Sequence, residues 1–108
     1  GDQPVSAAAN ALRGEAELRL AGTVYRLRPS FAALVAAEAE LGSLFALVDR
    51  AADGALRLDE LARLLWHCID NRPPALTVAA VGDAVVDAGL VAVTPALRQI
   101  LMQILQGR

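Results

Sequence analysis

Cysteine and histidine are each present once. The lone Cys68 excludes an intramolecular disulfide and any zinc site built from clustered cysteines. The lone His67 excludes a multi-histidine metal site and leaves one imidazole as the only histidine base. Lysine is absent: all ten basic residues are arginine, and 23 residues are alanine, which reads as coding bias of a GC-rich bacterium and not as chemistry. Long apolar runs are also missing. None reaches the roughly 18 residues that suggest a membrane span, so no membrane partner is expected. No basic segment followed by an apolar one opens the chain, so no signal peptide is read and the bacterial cytoplasm is the expected location. Twelve acids against ten bases give a net charge of −2, which excludes a strongly basic nucleic-acid footprint. Glycine-rich phosphate loops, Walker patterns and dinucleotide fingerprints are absent, and no Ser/His/Asp-like set emerges. No catalytic residue, metal site or cofactor is therefore expected, and the chain reads as a non-enzyme.

What is present is one domain's worth of foldable sequence, 108 residues of which 56% are apolar and 20% charged. Residues 1–13 read as a flexible leader and 14–108 as a single α+β domain, an N-terminal β-hairpin packed against four to five short helices. The hairpin is expected over 15–28. With Ala21-Gly22 as a two-residue turn, Leu20 faces Thr23, Leu18 faces Tyr25, Glu17 faces Arg26, Ala16 faces Leu27 and Glu15 faces Arg28. Alternation then puts Ala16, Leu18, Leu20, Tyr25 and Leu27 on one face, and Glu15, Glu17, Arg19, Arg26 and Arg28 on the other. Ala21 is a poor residue where a primed turn needs positive φ, so a type II turn or a longer loop is an open alternative.

Helices are expected at about 31–41, 44–52, 59–70, 78–88 and 95–106. Ser30, Ser43 and Thr77 read as N-caps, Gly42 and Gly89 as C-terminal stops, and Thr94-Pro95 as a cap followed by proline at the first helical position. On the first helix Phe31, Leu34, Val35 and Leu41 share a face with Glu38 at its centre, and Glu40 points the other way. On the third, Leu61, Leu64, Leu65, Cys68 and Ile69 form the apolar arc, with Trp66 at its edge and Glu60, Arg63 and His67 opposite. The last helix carries a core stripe of Leu97, Ile100, Leu101, Ile104 and Leu105.

Asp49, Asp53, Gly54 and Glu60 have the spacing of positions 1, 5, 6 and 12 of a calcium loop. Ala51 stands where a ligand is required, however, and Arg57 brings a cation to position 9, so the segment reads as a helix–turn–helix connection. Cys68 reads as a core thiol and His67 as a solvated side chain on the polar face. Three residues are candidates for binding a partner. Glu38, on an apolar face, either locks the corner between the first two helices or marks an open surface. Trp66, the only tryptophan, either completes the core under the hairpin or serves an interface. Met102 lies with Gln99 and Gln106 on a neutral outer face of the last helix.

The order of these elements resembles a known family. The hairpin Gly-Glu-Ala-Glu-Leu-Arg-Leu-Ala-Gly-Thr-Val-Tyr-Arg-Leu-Arg (14–28) precedes a helix ending Glu38-Ala-Glu-Leu-Gly42. Leu56-Arg-Leu-Asp-Glu-Leu-Ala-Arg-Leu-Leu65 and two further helices follow. This resembles a small family from gene transfer agents and related phages, grouped with phage tail assembly chaperones and also labelled tail tube protein. The likeness runs from about Leu12 to Gln106. It departs at Ala21, where the family often has Asp, and at Ala37, where a larger aliphatic is common. The resemblance implies a virion-assembly role without an active site: a chaperone that coats the apolar, helical tape measure protein before tube subunits polymerise around it. It also implies contact with other tail proteins. A structural tube or tube-terminating subunit, associated with the particle, is the alternative. Self-association through the exposed hairpin edge is a further expectation.

Overall fold

A computed structural model describes residues 16–107, so the leader expected at 1–13 and the Glu15–Arg28 pair lie outside the described residues. Strands β1 (Ala16–Leu20) and β2 (Thr23–Leu27) form an antiparallel hairpin. Its register joins Ala16 to Leu27, Glu17 to Arg26, Leu18 to Tyr25, Arg19 to Val24 and Leu20 to Thr23, as alternation of polarity and charge requires. The turn is the primed kind after all. Ala21 (φ 50°) and Gly22 (φ 81°) both take positive φ, which matches the twist of the flanking strands and excludes the type II alternative.

Five helices follow: α1 (Phe31–Leu41), α2 (Leu44–Ala52), α3 (Leu58–Cys68), α4 (Val78–Ala88) and α5 (Leu90–Gln106). The hydroxyls of Ser30, Ser43 and Thr77 accept from the backbone N–H groups of Ala33, Ala46 and Ala80, as N-caps should. The chain is thus an α+β fold in which the apolar face of the hairpin is covered by helices. β1 packs against α4 and α5, and α3 packs against α1 and α4. Leu27, Leu47, Leu64, Leu65, Val81, Val85 and Ile100 are fully buried where these elements meet.

Two helix boundaries differ from the sequence expectation, each for a physical reason. α3 stops at Cys68 and not at residue 70, because Ile69 turns extended and bridges to Leu27. Arg28 N donates to Cys68 O at 2.7 Å and Asp70 N donates to Arg26 O at 2.8 Å, so residues 68–70 line the outer edge of β2. Asn71, at φ 52°, then reverses the chain in the left-handed conformation that asparagine tolerates. α5 starts at Leu90 and not at Pro95, after a joint of the single residue Gly89. Val93 is buried and extends the stripe of Ala96 and Ile100 by one turn, so packing carries the helix through Pro95. Thr94 is no cap: its hydroxyl donates to Leu90 O at 2.8 Å. Leu105, expected in the core stripe, is exposed.

Helix α1 is rotated about its axis relative to the wheel reading. Ala37 is its fully buried residue, with Leu34 and Leu41 partly covered, whereas Phe31 is 85% exposed and Val35 is also exposed. At 100° per residue the buried face is turned by roughly 90° from the one expected. Glu38 is accordingly exposed and not set in a buried apolar face.

Candidate functional site

Helix α3 is the member that the polar contacts hold in place. Glu40 of α1, expected to point away from its neighbours, reaches α3 instead. Its Oε1 lies 2.9 Å from His67 Nε2 and 3.4 Å from Arg63 Nη1. The His67 hydrogen bond, then the charges of His67 and Arg63, hold the Glu40 carboxyl below the usual carboxylate range. His67 is not the solvated side chain expected: it is largely covered and meets the Trp66 ring edge-on, with centroids 4.8 Å apart.

A second lock joins α2 to the start of α3. Glu60, expected on the polar face, is buried, and its Oε1 accepts from Arg50 of α2 and from Arg57 N at 3.0 Å. These contacts, the Arg50 hydrogen bond first, lower its pKa from the ordinary glutamate value. The carboxylate that would close a calcium loop is thereby committed to an arginine and a backbone donor. Among the described residues no group of three His, Cys, Asp or Glu side chains is placed to hold a metal ion.

Trp66 fastens the far end of α3. Its indole N–H donates to Leu76 O at 2.9 Å, Arg72 stacks over the ring at 3.6 Å, and Arg72 Nη1 donates to Trp66 O. Glu38 makes a different local contact: its Oε2 accepts from Leu44 N at 3.0 Å, at the unsatisfied N-terminus of α2. Met102 is exposed on the outer face of α5, one turn from the exposed Leu105. The three candidates lie on three different helices, and none hydrogen-bonds to another. Cys68 is buried, and burial pushes its thiol up to about 12, far from a reactive thiolate at neutral pH.

Held in this way, α3 presents an apolar surface that sequence reasoning did not single out. Between α3 and α4 runs an open groove of about 490 Å³ walled by Leu58, Ala62, Val78, Ala79, Gly82 and Val86. Asp59 and Asp83 stand at its rim. Leu58 also borders a smaller hollow of about 250 Å³, lined by Leu56, Leu61, Leu90, Val93 and Leu97 among others. Leu58, Val86 and Leu90 are all exposed, and Val91 beside them is 87% exposed. Elsewhere both phenylalanines of the chain project into solvent, Phe31 from α1 and Phe45 (84% exposed) from α2. These large apolar side chains stand in solvent on several helices of one small domain, more of them than singly scattered surface residues require. Part of the signal was available in the sequence: of the exposed residues of α1, Phe31, Ala32, Val35, Ala36 and Ala39 are apolar, and only Glu38 and Glu40 are ionisable.

No single helix among the described residues is long and apolar enough to cross a membrane. The family described as "Phage tail tube protein, GTA-gp10" matches residues 13–107, nearly the whole chain. Comparison with curated proteins and with solved structures returned no match.

Proposed function

Because the chain belongs to the phage tail tube protein, GTA-gp10 family, a family of tail assembly chaperones, we propose that it acts by binding the tape measure protein during tail assembly. It works through surface complementarity and not through bond-making, in the bacterial cytoplasm before the particle is complete. The observation that carries this reading is the α3–α4 groove. Its floor is made of small residues (Ala62, Ala79, Gly82), which let a partner backbone approach, and its walls are the exposed Leu58 and Val86 and the half-buried Val78. An apolar helix laid in such a groove buries its side chains at about 25 cal/mol per Å² removed from water. The acidic rim at Asp59 and Asp83 favours a segment whose apolar stripe is flanked by basic residues. Met102 and the exposed phenylalanines extend the apolar surface for a long partner, while Glu38 and Trp66 support the frame behind it.

Co-expression with the tape measure protein, followed by affinity capture, tests the proposal. The wild-type chain is expected to bring the partner down. Leu58→Asp and Val86→Asp are expected to abolish capture while leaving the circular dichroism spectrum intact, since each residue is about half exposed and neither belongs to the buried core. Undiminished capture by both variants would move the site elsewhere. The family's description as a tail tube protein favours a second reading, a structural tube subunit. Only two strands are present among the described residues, too few to line a tube within one copy. Mass spectrometry of purified particles separates the two: the chaperone is absent from finished particles, whereas a tube subunit is present in stoichiometric amounts.

A further inference from the structure

We propose that β1 is a self-pairing edge, and that two copies of the chain join through it about a two-fold axis at Leu18. The two edges of the hairpin are not equivalent. The outer side of β2 is occupied at Arg26 and Arg28 by residues 68–70. In an antiparallel ladder, residues alternate between those bonded across the pair and those whose N–H and C=O point away. A two-residue turn makes Leu20–Thr23 a bonded pair, hence also Leu18–Tyr25 and Ala16–Leu27. Arg26 C=O confirms the phase independently, since it points away from β1 and accepts from Asp70. Glu17 and Arg19 therefore direct their backbone groups outward from β1, and no described residue takes them up.

The side chains on that edge complement themselves. If a second β1 runs antiparallel with Leu18 opposite Leu18, Glu17 faces Arg19 of the other copy, and Arg19 faces its Glu17. This register pairs every outward backbone group of the two residues, giving four interstrand hydrogen bonds and two cross-strand ion pairs. Beyond them stand Arg26, opposite Glu17, and the uncharged Val24, opposite Arg19, so no like charges meet directly. A register slipped by two residues sets Glu17 against Glu17 or Arg19 against Arg19. Charges that would otherwise protect an edge strand thus admit one partner in one register, a second copy. The contact is small, so a reversible dimer is expected.

Sedimentation equilibrium with the full chain at rising concentration, alongside amide hydrogen exchange, tests this. Dimerisation is expected, with exchange at Glu17 and Arg19 slowing as concentration rises and Leu18 unchanged, because Leu18 is already bonded to Tyr25. Arg19→Glu puts acid against acid without disturbing a charge pair of its own hairpin, and should weaken dimerisation about tenfold or more. Glu17→Arg is made together with Arg26→Glu to keep the hairpin's own pair, and should weaken it similarly. An equimolar mixture of these two variants restores opposite charges at both positions and should dimerise at least as well as wild type. A wild type that stays monomeric, an Arg19→Glu chain that associates undiminished, or a mixture that stays monomeric would each overturn the proposal. Capture of the tape measure protein through α3 and α4 is scored separately and does not depend on the outcome.

Discussion

Ala21 and Asn71 sit at nearly the same backbone φ, 50° and 52°, and the two residue types are not equally suited to it. For a residue with a Cβ, the left-handed region costs roughly 1–2 kcal/mol, because the Cβ crowds the following carbonyl oxygen. Asparagine recovers part of that cost through local hydrogen bonds of its side chain. Replacing Ala21 with Asn should therefore stabilise the protein by about 0.5–1 kcal/mol, and Asn71→Ala should destabilise it by about the same amount. At about 4–8 °C per kcal/mol for a domain near this size, Ala21→Asn raises Tm by about 2–8 °C and Asn71→Ala lowers it by a similar margin. Thermal unfolding followed at 222 nm gives both shifts, and a urea midpoint that moves at unchanged slope shows that stability changed and not the surface exposed on unfolding. Neither side chain is part of the core, so packing does not confuse the result. If Ala21→Asn leaves Tm unchanged or lowers it, the primed turn is wrong and the strands are joined by another geometry.

Gly82 lies inside α4, and a Cβ there would meet Ala62 Cβ at 3.7 Å, an ordinary contact. Gly82→Ala should raise stability by about 0.5–1 kcal/mol, while narrowing the groove and weakening capture of the tape measure protein; a loss of stability would refute the first half and undiminished capture the second. Acid should weaken the fold through Glu40 and Glu60, whose folded-state pKa values are lowered. The unfolded chain binds those protons more tightly, so the contribution is complete above about pH 5, declines as pH falls through the usual glutamate value near 4.3, and is gone below the lowered folded value. Urea midpoints measured from pH 6 to 3 should fall less steeply for Glu60→Gln than for wild type. Cys68 should react with a thiol reagent at pH 8 only as fast as the chain unfolds, and prompt labelling of the native protein would show that its site is open.

The hairpin was legible because two independent signals, hydrophobicity and charge, select the same register, and a slip of one residue would reverse both. Most helix limits were legible from side chains that do local work: Ser30, Ser43, Thr77, Gly42 and Gly89. What local pattern could not reveal was a tertiary competitor. Ile69 continues the helical arc of α3 as well as any residue could, yet the open edge of β2 draws it into a bridge. Pro95 has the form of a helix start, yet burial of Val93 carries the helix one turn upstream. Glu60 and His67 sit on polar faces by sequence and are covered by Arg50 and Glu40, partners 10 and 27 residues away.

The misreading of α1 has a different origin, and it bears on function. A helical wheel equates apolar with inward. That inference holds when the only apolar surface a helix meets is its own protein's core. On α1 the residues that looked most like core, Phe31 and Val35, stand in solvent, and burial falls to Ala37 with Leu34 and Leu41. Phe45, Val86, Leu90 and Val91 are further large apolar side chains that stand in solvent, on three other helices. Exposing so much apolar surface invites aggregation unless a partner covers it, and the free energy of covering it is what a binding module has to offer. On the proposed function, periodicity therefore assigns part of the binding surface to the core. The discrepancy between wheel and fold becomes a map of where to mutate. On that ground Phe31→Asp and Phe45→Asp should leave Tm nearly unchanged while reducing capture of the tape measure protein. A large loss of stability from either would place that ring in packing, and return α1 to the face the wheel assigned.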